Sequence, residues 1–225
     1  MEPKERAARS AVAVVRNGEI LGLGSGSTAM RALQVLAERI RAEKLDVVGV
    51  PTSLATQKEA ERLGIPLTTL ELHPELDVAI DGADQVDARL AVIKGYGGAL
   101  LREKIVARCA RRVHLMVDTS KLADTLRLAV PVEVLPFAMG AAWRRLEALG
   151  GKPRLRLAGK APYLSDNGNK ILDVDFGAIE DPAALAARLD VLPGVMGHGL
   201  FVDLVDELHV GDTAASRVIR RTEVR

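Results

Sequence analysis

Hydrophobic and polar positions along the chain follow two periods, one helical and one strand-like. Ala7, Ala8, Ala11, Val12 and Val15 recur at helical spacing behind Pro3, a residue suited to a first helical turn, and Asn17-Gly18 stop the stripe. Glu19 to Leu23 reads as a short strand. Met30, Leu33, Leu36, Ala37 and Ile40 then keep a clean helical period, the mark of a helix with one buried face. Asp46 to Val50 reads as a strand ending at Pro51, and Thr52 or Ser53 caps a helix that runs to Leu63 and closes at Gly64. Pro66 to Leu70 reads as a further strand. An apolar run from Asp77 to Ile80 enters a group of acidic residues, and Leu90 to Ile93 enters Lys94. Leu100, Leu101, Ile105 and Val106 share a helix face, and Arg112 to Val117 is strand-like. Strands alternating with helices predict an α/β fold, a Rossmann-like, mostly parallel sheet flanked by helices.

The texture changes near residue 128. Val130 to Leu135 is a strand carrying prolines, which predicts an edge position. Ala138 to Leu149 reads as a helix closed by Gly150-Gly151, and Arg154 to Leu157 alternates like a half-exposed strand. Asp166-Asn167-Gly168-Asn169 is a hairpin turn ahead of the strand Lys170 to Phe176. Asp181-Pro182 supplies the N-cap and first position of a helix reaching about Leu189. Phe201 to Val210 reads as a strand returning to the first sheet. The expected organisation is an α/β domain over 1–127 plus 204–225 and a second, smaller α+β domain over 128–203.

The candidate chemistry lies at predicted strand ends, where open α/β sheets gather their ligands. Gly22-Leu23-Gly24-Ser25-Gly26-Ser27-Thr28 places glycines and hydroxyls between a strand and a helix. That makes a nest of N–H and O–H donors for a phosphate at a helix N-terminus. Ser27 stands where a dinucleotide fingerprint needs its third glycine, and a P-loop lysine is missing, so a small phosphate ester fits better than a nucleotide. The bland alternative is a turn with a Ser/Thr cap. Asp81-Gly82-Ala83-Asp84 puts two carboxylates after one strand. Lys94-Gly95-Tyr96-Gly97-Gly98 puts a cation and bare backbone after the next, and Glu103 falls in the first turn of the following helix. Asp118-Thr119-Ser120-Lys121 ends another strand with a lysine. Each feature alone could be turn chemistry or a dipole partner.

Composition narrows the classes. With 225 residues, 48% hydrophobic and net charge +1, the chain can build a core and shows no bulk attraction to polyanions. Aromatics are 3%, too few for base-stacking surfaces, so no nucleic-acid partner is expected. One cysteine, Cys109, fits a reducing compartment and most simply a core position. No apolar run approaches the roughly 20 residues of a membrane helix. Met1-Glu2-Pro3-Lys4-Glu5-Arg6 has no signal-peptide core. A cytoplasmic protein with no membrane partner is expected. His73, His114, His198 and His209 lack any metal-ligand spacing and read as structural; His198, between two glycines, is the one to watch.

The blocks GLGSGSTA at 22–29, DGAD at 81–84, KGYGGALLREK at 94–104, DTSK at 118–121, PVEV at 131–134 and DNGN at 166–169 resemble type A ribose-5-phosphate isomerases, in order and over nearly the whole chain. The resemblance implies interconversion of D-ribose 5-phosphate and D-ribulose 5-phosphate, in the pentose phosphate pathway, with no metal or organic cofactor and as a homodimer or homotetramer. It implies Glu103 as base, Asp81 and Asp84 as an acidic pair and Lys94 as the active-site lysine. It further implies Ser25, Gly26, Ser27 and Thr28 as the phosphate loop, with Gly82, Ala83, Gly95, Tyr96, Gly97, Lys121 and Lys4 also meeting substrate. Tyr96 interrupts what is usually a glycine run, and Ser25 stands where many members have threonine. Two rivals are a sugar-phosphate sensor, which would lack the carboxylates, and an amino-sugar-phosphate deaminase, which would release ammonia.

Overall fold

The computed structural model describes residues 1–221; residues 222–225, the end of the 204–225 segment, lie outside the described residues. In chain order the elements are α1 (Pro3–Val12), β1 (Ile20–Leu23), α2 (Gly26–Glu43), β2 (Val48–Pro51), α3 (Leu54–Leu63), β3 (Val78–Gly82), β4 (Gln85–Val86) and β5 (Val92–Ile93). Then come α4 (Leu100–Cys109), β6 (Val113–Asp118), β7 (Val130–Val134), α5 (Met139–Ala148), β8 (Lys152–Leu155), β9 (Leu157–Ala158), β10 (Ala161–Pro162) and β11 (Lys170–Asp175). The chain finishes with α6 (Pro182–Asp190), β12 (Val195–His198), β13 (Leu200–Phe201), β14 (Glu207–Gly211) and β15 (Ser216–Arg220).

Two compact units emerge. The first holds Met1–Ala83, Arg102–Leu122 and the chain from Leu204 onward. Its sheet runs β15-β14-β6-β3-β1-β2, parallel throughout except for β15. This is the α/β architecture expected. The helices form where the periodicity put them, and local chemistry ends them. Ser53 accepts the Thr56 N–H at 3.0 Å to start α3, and Gly64 closes it at φ 75°. Arg39 of α2 donates to the Val12 carbonyl at 2.6 Å, joining the Val15 N–H that closes on the same carbonyl at 3.1 Å at the end of α1. The core joins Ala8, Ala11 and Val12 of α1 to Leu33, Leu36 and Ala37 of α2 and to Leu21, Val78 and Met116 of the sheet. Pro66 to Leu70 departs from expectation. It makes one parallel bridge, Gly49 to Leu67, because the chain turns at once, with the His73 N–H donating to the Thr69 carbonyl at 2.9 Å.

The second unit holds Asp84–Leu101 and Ala123–Asp203. Residues 84–101, read from sequence as part of the first domain, make their contacts here because β5 pairs with β13. The larger sheet runs β12-β7-β11-β8, antiparallel, over a core of Val130, Val132, Val134, Leu146, Leu172 and Val174. Strand β7 is interior, correcting the edge assignment. Its ladder with β12 stops at Val132, and the Pro131 carbonyl instead accepts from the Gly199 N–H at 2.7 Å. The proline's missing donor therefore falls past the end of that pairing. Asp181 caps α6 by accepting from the Ala184 N–H at 2.9 Å. The strand expected over 201–210 is broken at Asp203, whose φ of 56° cannot continue a strand, leaving β13 and β14 apart. Among the described residues no helix is long and apolar enough to cross a membrane.

Candidate active site

In the first unit the loop after β1 is held by Asp81 at the end of β3. Asp81 is buried, and its Oδ1 accepts from the Ser25 N–H at 3.0 Å and the Gly82 N–H at 2.7 Å. Gly24 is required by this approach: a Cβ there would fall 2.6 Å from Asp81 Cα. Ser25 precedes α2 in extended conformation, but its hydroxyl does not cap the helix. It bonds the Thr52 hydroxyl at 2.6 Å and the Thr56 hydroxyl at 3.3 Å. The first N–H groups of α2 thus lack a side-chain cap, the arrangement that suits an anion. Gly26 opens the helix at φ 85°, which glycine adopts without strain.

A cation stands at this end of α2. Lys4 of α1 donates from Nζ to the Ser27 hydroxyl at 3.2 Å. Asp118, at the end of β6, caps the short turn Thr119–Lys121 through the Ser120 N–H at 2.9 Å. Burial pushes the Asp118 carboxyl up, but the Ser120 hydroxyl and amide and the charges of Lys121 and Lys4 outweigh it, holding the group below its ordinary value. Lys4 and Lys121 therefore act on one carboxylate. Thr28 packs beside Gly82, linking the phosphate-type loop to the acidic segment. Glu103 lies in the first turn of α4, and only 4% of its surface is exposed, so this carboxylate is held away from bulk water.

In the second unit β4 and β5 place the remaining candidates. The Asp84 N–H donates to the Ile93 carbonyl at 2.9 Å, and its Oδ2 accepts from the Tyr96 N–H at 3.1 Å. Lys94 is 3% exposed; its N–H donates to the Gly199 carbonyl at 2.8 Å and its Nζ lies 5.7 Å from the centre of the Phe201 ring. Gly95 sits at φ 102°, and the Gly98 N–H closes back on its carbonyl at 3.0 Å. Arg156 braces this loop, donating to the carbonyls of Gly95 at 2.9 Å and Tyr96 at 3.1 Å while its guanidinium forks onto Asp173. Tyr163 donates to the Gly97 carbonyl at 3.3 Å. The Tyr96 hydroxyl donates to the Ala129 carbonyl at 3.1 Å, and the ring lines a cavity of about 570 Å³ with Arg127, Arg154, Arg156 and Asp173. Burial, then the charges of Asp84 and Asp173, push its phenol up, keeping the donor protonated.

Sequence reasoning missed Arg156 and Tyr163. Nothing in an Arg-Leu-Arg-Leu alternation says which arginine meets a loop 60 residues earlier. His198 sits with its Nε2 2.9 Å from Asp190 Oδ1 and its Nδ1 accepting from the Leu200 N–H at 3.2 Å, contacts that fit a structural histidine.

An α/β fold with a mostly parallel sheet, an uncapped helix start beside Lys4, and buried carboxylates at strand and helix ends is an arrangement that suits a small anionic substrate. Residues 48–215 match the family described as Ribose 5-phosphate isomerase A (phosphoriboisomerase A). The chain is 49% identical over 223 residues to Ribose-5-phosphate isomerase A of Methanosarcina acetivorans, covering 97% of this chain and 95% of that one. Its counterpart from Thermomicrobium roseum is 50% identical over 223 residues, with 97% and 94% covered. The solved structure of ribose 5-phosphate isomerase A from Methanocaldococcus jannaschii superposes with a TM-score of 0.92 at 39% identity, over 96% of this chain and 97% of that one. A D-ribose-5-phosphate isomerase in complex with phospho-erythronic acid gives 0.94 at 36% identity, over 98% and 100%. The chain belongs to the ribose-5-phosphate isomerase A family and is an isomerase.

Proposed function

We propose that the chain interconverts D-ribose 5-phosphate and D-ribulose 5-phosphate by proton transfer through an enediolate, with Glu103 as general base. One observation carries the assignment: a carboxylate 4% exposed in the first turn of α4, at the end of the KGYGGALLREK block. Isomerisation moves one proton between adjacent carbons, and a single carboxylate can take it from C2 of the aldose and return it to C1. Such catalysis contributes about 100- to 10,000-fold. The oxyanion that develops needs fixed donors, a role for Lys94 and the backbone N–H groups of Gly95, Tyr96 and Gly97. Asp81 or Asp84 exchanges the proton that opens the sugar ring, with Gly82 and Ala83 as backbone contacts. The phosphate goes to the start of α2, with Ser25, Gly26, Ser27, Thr28, Lys4 and Lys121, and its binding energy fixes the reacting carbons.

Phospho-erythronic acid, bound to a relative, supports this chemistry. It is a phosphorylated sugar acid whose planar, anionic carboxylate imitates an enediolate. The same reading places the enzyme in the cytoplasm, in the pentose phosphate pathway, as a homodimer or homotetramer. The test is ketose formation from D-ribose 5-phosphate with a chelator present and Glu103→Gln run in parallel. Chelator-resistant turnover that vanishes in the variant is expected. Turnover surviving in the variant would move the base to Asp81 or Asp84; no turnover with ribose 5-phosphate still bound would favour a sensor.

A further inference from the structure

Two histidines and a glutamate, none of them given a role above, meet in the first unit. Strands β6 and β14 pair in register with His114 opposite Glu207 and Met116 opposite His209. His114 and His209 therefore project from one face of the sheet, and Ser10 of α1 covers it. His114 Nδ1 lies 3.1 Å from His209 Nε2, Glu207 Oε2 lies 3.4 Å from the first and 3.7 Å from the second. Both rings are almost fully buried.

We propose that His114, His209 and Glu207 form a site for a divalent transition-metal ion of the zinc type. A triangle with those three sides has a circumradius of about 2.0 Å, which is the length of a Zn–N or Zn–O bond. One ion can thus touch all three atoms with little movement of the backbone, leaving a fourth position for water. Two imidazoles and a carboxylate are a donor set that suits such an ion.

The surrounding atoms favour the same conclusion. Ser10 Oγ lies 2.8 Å from His209 Nδ1, so the ring can donate there and turn its Nε2 lone pair to the ion, the outer bond that orients a metal-binding histidine. Arg220 donates to Glu207 Oε1 at 3.0 Å, leaving Oε2 to face the rings. His114 Nε2 is buried with no hydrogen-bond partner among the described residues, and an ion on Nδ1 would leave it so; the site rests on the triangle of His114 Nδ1, His209 Nε2 and Glu207 Oε2. The charged groups around the pair include Glu19, Asp206 and Glu207 against Arg112 and Arg220, so the surroundings do not repel a cation. The role is structural: an ion would tie β6 to β14 beneath α1, independently of the isomerase chemistry.

The test is titration of chelator-stripped full-length protein with Co²⁺ and Zn²⁺, read by visible absorption and calorimetry. One equivalent at micromolar metal with the ligand-field bands of four-coordinate Co²⁺ is expected, displaced by Zn²⁺. Glu207→Gln and His209→Asn should weaken binding by more than about tenfold, and Ser10→Ala by about tenfold. Glu207 is partly exposed, so its variant reports even where the histidine variant folds poorly. Absence of stoichiometric binding in the wild type, or binding unchanged in the Glu207 variant, would overturn the proposal.

Discussion

Asp81 and Ser25, 56 residues apart, are joined by a 3.0 Å hydrogen bond from the serine N–H to the carboxylate, so the end of β3 sets the shape of the loop that precedes α2. Gly24 lets that bond form. In Gly24→Ala the new methyl meets Asp81 backbone at 2.6 Å, and overpacking should cost about 1–3 kcal/mol and most of the turnover. Gly82→Ala meets nothing closer than 3.6 Å and should keep its urea midpoint near wild type. Equal midpoints for the two variants would contradict this reading.

Lys4 reaches the Ser27 hydroxyl at 3.2 Å across two elements. A charge-assisted bond to phosphate is worth about 1.5–3 kcal/mol, so Lys4→Ala should raise KM about 10- to 100-fold with a smaller change in kcat. Inorganic phosphate should inhibit the variant less than the wild type. A fall confined to kcat would place Lys4 in another role.

Arg156 bonds two loop carbonyls and one carboxylate. Lysine cannot reproduce that fork, so Arg156→Lys should lower kcat while the fold persists. Tyr96→Phe loses one hydrogen bond to the Ala129 carbonyl, about 1 kcal/mol, and should keep near-normal turnover. Steady-state kinetics on the pair separates a loop-bracing arginine from a pocket-filling tyrosine.

Asp118 gives a pH dependence with a definite sign. Its folded carboxyl titrates below the ordinary 3.8, so its contribution to stability is fully present above that value and lost as pH falls through the folded value. Asp118→Asn should therefore lose less of its thermal midpoint between pH 5 and pH 3 than the wild type. An identical loss in both proteins would show that this carboxylate is not the group responsible.

Glu133 is fully buried, and its Oε1 accepts from the Ser165 hydroxyl at 2.7 Å, the Asn167 amide at 3.0 Å and the Asn169 amide at 2.9 Å. Glu133→Ala strands those donors and should cost about 1–3 kcal/mol for each left unpaired. Glu133→Gln keeps an acceptor and should cost less. Denaturant unfolding of both variants checks the order.

Much of the fold's first half was legible because α2 carries one clean apolar period and capping residues bound α3; Pro66 to Leu70, which forms a single bridge, was not. The candidate residues were legible because they sit in short blocks at strand ends. What escaped depends on distant partners. Whether Pro131 marks an edge turns on where β12 stops pairing. Strand β15 carries little apolar alternation, since Ser216 and Arg217 are exposed, so nothing local announced it. Arg156 bonds a loop that only the fold brings near, and His114 meets His209 through strand register rather than spacing.

The chain passes between its two units after Ala83, Leu101, Leu122 and Asp203. During synthesis this order matters. Strand β14 lies inside the first unit's six-stranded sheet, between β6 and β15, yet it is made after the whole second unit. On the ribosome the β6 edge stays unpaired until residues 207–211 emerge. The second unit's residues 123–203 can meanwhile condense on the already synthesised 84–101. The first unit's sheet is therefore completed only after the second unit has been made, and the open β6 edge marks the interval in which chaperone capture or misassembly would occur.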